Sequence, residues 1–73
     1  MNTETIVKSK SDGFLKVCVD DIIKFRNTNI VGENSNLKII ANEIKAELGE
    51  DYPVSRMAEE AVLFEVALRW KNS

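Results

Sequence analysis

The chain has 73 residues, no histidine, one cysteine and a formal net charge of −2. Without histidine it cannot carry Ser-His-Asp or Cys-His catalysis, and a lone cysteine makes neither an internal disulfide nor a zinc site of the usual kind. No run of apolar residues is long enough to span a membrane, and the small acid excess gives no overall attraction to nucleic acid or acidic lipid.

Residues 1–12 are mostly Thr, Ser, Lys, Asn and Glu, broken only by Ile6 and Val7. They read as a flexible N-terminal leader, since polar chain ends usually fray, and no apolar signal region follows them. The single domain is expected over residues 13–73. From Gly13 to Arg26, Leu15, Cys18, Val19, Ile22 and Phe25 share one broad face when placed at about 100° per residue. Lys16, Asp20 and Lys24 stand four apart on the other side with alternating sign, the spacing of helical ion pairs. This pattern predicts a helix over 13–26 capped by Ser11 or Asp12. Phe14 to Val19 also suits a strand, so both states stay open there.

Residues 27–36 carry four asparagines, a glycine and a serine, which makes a loop with Ile30 and Val31 dipping into the core. Leu37, Ile40, Ala41, Ile44 and Leu48 then form one stripe of a helix over 35–48. Asn34, Ser35 or Asn36 would cap its start, and Gly49 sits where a helix-ending glycine belongs. Ile39 points away from the stripe. Pro53 closes a turn over 49–54, and Ser55 is expected to cap a last helix that runs to about Lys71.

That last helix has two apolar faces. Met57, Ala61, Phe64 and Leu68 make a core stripe, while Val62, Leu63, Val66 and Trp70 lie nearly opposite. Glu60, Glu65 and Arg69 only partly separate them. A helix apolar all round is normally buried on most sides. A chain of this length buries only about 60% of its unfolded surface, and it has no disulfide or metal to compensate, so burial against a partner is favoured. Trp70 and Phe64 are the expected anchors, because aromatic side chains dominate interface energetics.

Nothing in the sequence points to catalysis or to a cofactor. The carboxylate pairs Asp20-Asp21, Glu50-Asp51 and Glu59-Glu60 are adjacent residues, which on a helix point about 100° apart, and they read as solvated surface. Cys18 lies on an apolar face and reads as a buried, inert thiol.

Two family resemblances can be drawn. Ile23-Lys24-Phe25-Arg26-Asn27-Thr28 alternates in the way of the strand in ribbon-helix-helix DNA-binding proteins. The resemblance implies a dimer whose ribbon reads base edges with Lys24, Arg26 and Thr28. Ile23-Lys24-Phe25, Ile30-Val31 and Asn42-Glu43-Ile44 are similar in register to the small helical anti-sigma factors of T-even phages. That resemblance covers roughly residues 22–45 and implies action by binding another protein; it assigns no site residue here.

The sequence thus predicts a small all-α, three-helix domain with the last helix central and apolar on two faces. The expected function is non-catalytic protein binding with a regulatory outcome, in the cytoplasm, with another protein or a second copy of the chain as partner. The expected contact residues are Val62, Leu63, Val66, Trp70 and Ile39. The alternative is the dimeric DNA-binding regulator using Lys24, Arg26 and Thr28.

Overall fold

Ser11 and Ser35 each open a helix by accepting a hydrogen bond three residues on, from Phe14 N at 3.1 Å and Lys38 N at 3.1 Å. A computed structural model describes residues 3–49 and 51–73 and contains four helices: α1 (Thr3–Lys8), α2 (Asp12–Thr28), α3 (Asn36–Leu48) and α4 (Val54–Lys71). Among the described residues there is no strand. The domain is all-α, and residues 14–19 are helix.

The helix ends follow from local chemistry. Asn29, at φ 59°, closes α2 with its N–H on Phe25 O at 2.7 Å. Helix therefore reaches two residues further than the periodicity predicts, because asparagine tolerates the left-handed turn that ends it. Gly49 closes α3 at φ 94° and ψ −175°, with its N–H on Lys45 O at 2.8 Å. That backbone region is essentially glycine's own. The cap of α4 lies two residues earlier than expected. Ser55 lies inside its first turn and Pro53 is the cap, without a side-chain hydrogen bond. Pro53 needs none to set the turn, since its ring fixes φ at −76° and its carbonyl accepts from Met57 N at 3.0 Å.

The expected leader departs most from the sequence reading. Residues 3–8 form α1, with Ile6 and Val7 in the core, while Met1 and Asn2 lie outside the described residues. Six residues do not hold a helix in water by themselves. Burial of two adjacent apolar side chains supplies the missing stability, at about 1.5–3 kcal/mol for each fully buried one. Ser9 Oγ donates to Ile6 O at 2.7 Å, and Lys10 Nζ lies 3.0 Å from the Glu43 carboxylate on α3.

The core is built from Val7, Leu15, Cys18, Leu37, Ile40, Ile44 and Val62, all fully buried. α4 packs against α1, α2 and α3, the central place expected of it, and α3 shares that role by touching α1, α2 and α4. Ile30 is 69% exposed; of the two loop residues expected in the core, only Val31 packs against it. Asp21 on α2 accepts from Leu37 N at 3.1 Å, so this carboxylate caps α3, and only its neighbour Asp20 is fully on the surface.

Candidate functional site

Helix α4 buries Ala58, Glu59, Ala61, Val62 and Glu65. Two carboxylates thus face inward, and each has a guanidinium partner. Glu59 accepts from Arg26 of α2 through Nε at 3.2 Å and Nη2 at 3.1 Å, with Arg56 Nη1 at 3.8 Å. Arg56 also stacks over the Phe25 ring at 4.9 Å. Glu65 accepts from Arg69 Nε at 2.7 Å. The same Arg69 donates to Asp12 Oδ1 at 2.6 Å and to the carbonyls of Lys8 and Lys10 at 3.3 and 2.8 Å. Its hydrogen bonds to Glu65 and then to Asp12 raise its pKa further, so its charge is fixed at every working pH.

These pairs turn the buried face of α4 away from the one that apolar spacing selects. Phe64, expected both in the core stripe and as a contact anchor, is 52% exposed, and Val62, expected at a partner contact, is fully buried. Glu59 is likewise core, and only Glu60 of that pair is surface. Glu50 of the Glu50-Asp51 pair lies outside the described residues. A carboxylate is admitted to an interior when a bidentate arginine meets it, and hydropathy does not register that partner.

The remaining contact candidates fall in two places. Trp70, 79% exposed, and Val66, half-buried, lie on the flank of α4 that faces α2, and Leu63, also exposed, stands two turns before Trp70 along α4. Trp70 and Val66 line an open groove of about 390 Å³ with Leu15, Val19 and Lys16 of α2. Ile23 stands 54% exposed one turn beyond Val19 on the same flank of α2. Its closeness to Val19 in helical angle is the sequence signal for it. Ile39 is exposed on α3 and does not line this groove. A second groove, of about 370 Å³, runs between α1 and α4 along Thr3, Glu4, Met57, Glu60, Ala61 and Phe64.

The DNA-ribbon residues are not arranged as that reading needs. Residues 23–28 are the last part of α2, not a strand. Arg26 is engaged by Glu59, and Thr28 Oγ1 donates to Lys24 O at 2.8 Å and accepts from Ile30 N at 3.2 Å. The helical period of 22–26 outweighs its alternation because Ile22 and Phe25 both reach the core.

Cys18 is fully buried, and burial, helped by the nearby Asp21, pushes its thiol up to about 12. Among the described residues no three His, Cys, Asp or Glu side chains gather where they could hold a metal ion, and no helix is long and apolar enough to cross a membrane. No family model, no curated protein and no solved structure matches the chain, so neither resemblance drawn from the sequence gains a relative.

Proposed function

We propose that the chain is a small, non-catalytic helical regulator that works by binding protein through the α2–α4 seam, with Trp70 as its anchor. The observation that carries this reading is Trp70, 79% exposed at the mouth of an apolar groove. An indole left in water is a large apolar area that a contact would bury, and tryptophan is enriched among the residues that dominate interfaces. The surface total agrees in direction: the chain exposes 4926 Å², about 400 Å² more than mass scaling gives for a monomer of this size. The contact set is Leu63, Val66 and Trp70 on α4 with Val19 and Ile23 on α2. Val62 leaves the set because it is core, and Ile39 leaves it because it lies on another helix.

Photo-crosslinking in the host cell tests this. A benzophenone side chain placed at position 70 should yield a discrete protein adduct, and the same group at the exposed Asn42 of α3 should not. Absence of any adduct from position 70, or equal adducts from both, would remove the reading.

A further inference from the structure

The two exposed apolar grooves differ in charge, and the difference selects their occupants. Around the α1–α4 groove the charged side chains are Glu4 and Glu60, both negative. A two-fold contact of that surface with its own copy would set carboxylates against carboxylates. The α2–α4 seam carries both signs: Asp12 and Arg69, already paired with each other, and Lys16 in the groove wall, with Asp20 one turn on along the exposed edge.

Two opposite charges four residues apart are complementary to themselves under a two-fold axis that passes between them. Lys16 then meets Asp20 of the other copy, and Asp20 meets its Lys16. The apolar residues obey the same symmetry. The ion pairs Asp12–Arg69 and Arg26–Glu59 fix α2 and α4 as antiparallel neighbours, which puts Trp70 level with the first turn of α2. At about 1.5 Å per residue, Trp70 on one side and Ile23 on the other lie about equally far from the Lys16–Asp20 midpoint. Rotation about that midpoint carries Trp70 of one copy to the level of Ile23 of the other, twice.

We infer that the seam is the face of an isologous homodimer, a second copy of this chain being the occupant, with its axis between Lys16 and Asp20. This rests on the protein-binding reading above and names its partner. Such a contact covers Ile23, Leu63 and Trp70, three of the exposed large apolar side chains, and it uses one patch twice, as closed two-fold dimers do.

Sedimentation of the purified chain over a dilution series, with charge variants, tests the inference. The wild type should be a dimer that dissociates on dilution. Lys16→Asp or Asp20→Lys alone should weaken it roughly tenfold, since each change acts twice across the axis. The double exchange, Lys16→Asp with Asp20→Lys, should restore the dimer, because the exchanged pair is again self-complementary. Helicity measured on the dilute monomers controls for folding. A chain that stays monomeric at every concentration overturns the homodimer, and so does a dimer indifferent to all three variants. A position-70 adduct to a different protein, with a monomeric purified chain, would leave the protein-binding reading standing and remove only the second copy.

Discussion

Three non-local hydrogen bonds converge on Arg69, together with a local one to Glu65. One guanidinium compensates buried Glu65, meets Asp12 at the start of α2 and takes the carbonyls of Lys8, which ends α1, and of Lys10. Arg69→Ala leaves Glu65 buried without its partner, a change that costs about 3–5 kcal/mol for a fully buried pair. Because the Arg69 side chain keeps 28% of its exposure, water can replace part of that loss, and the expected cost is about 2–3 kcal/mol. Urea unfolding measures it, and amide exchange at Ile6 and Val7 should accelerate in the same variant. Cys18 gives a separate, pH-dependent signature. Its thiol titrates near 12 in the folded chain and near 9.0 when unexposed to these effects. Between those values the unfolded chain has lost the proton that the folded chain keeps, so stability falls as pH rises, by about 1.4 kcal/mol per pH unit. Below the lower value the thiol contributes no slope. Cys18→Ala should therefore flatten the alkaline limb of a stability–pH curve relative to wild type, and an unchanged limb would contradict the buried thiol. At Gly49, φ 94° excludes a β-carbon by backbone strain alone, since the space around it is open. Gly49→Ala should cost about 1–3 kcal/mol in thermal or urea unfolding.

At the scale of elements, α1 is the piece that polar composition hides. A chain lacking residues 1–9 should lose about 2–4 kcal/mol, because Ile6 and Val7 leave the core. A fraying leader would be removed without effect on the urea midpoint. The other helices were legible for a stated reason: α2 and α3 bury apolar side chains at helical spacing and begin at serines, so period and cap agree. In α4 the same method finds the helix and misplaces its inner face. Glu59 and Glu65 occupy core positions through Arg26 and Arg69, one of which comes from another helix, and spacing within α4 carries no trace of that partner. The exchange of Val62 and Phe64 between core and surface follows from it. Leu63 and Trp70 are exposed on α4, and Val66, between them, is half-buried against the core. Ile23 was missed because its role depends on which helix lies beside it.

As a whole molecule the chain is a flattened body of 35 × 30 × 16 Å with its largest exposed aromatic on the α2–α4 seam. A stable specific interface takes about 800 Å² from each partner, so a chain this small has room for few such contacts, and a dimer across the seam would cover Ile23, Leu63 and Trp70 of both copies. Trp70 is the sole tryptophan, which makes its fluorescence a reporter of that seam alone. Trp70→Ala should change the stability of the dilute monomer by less than about 0.5 kcal/mol, as expected of a surface side chain, while weakening association. The decisive observation is the emission of Trp70 followed from high micromolar to nanomolar protein: it should be blue-shifted and shielded from acrylamide when concentrated, and move to the red on dilution while helicity holds. Emission that is red and freely quenched at every concentration would contradict a seam covered by a second copy.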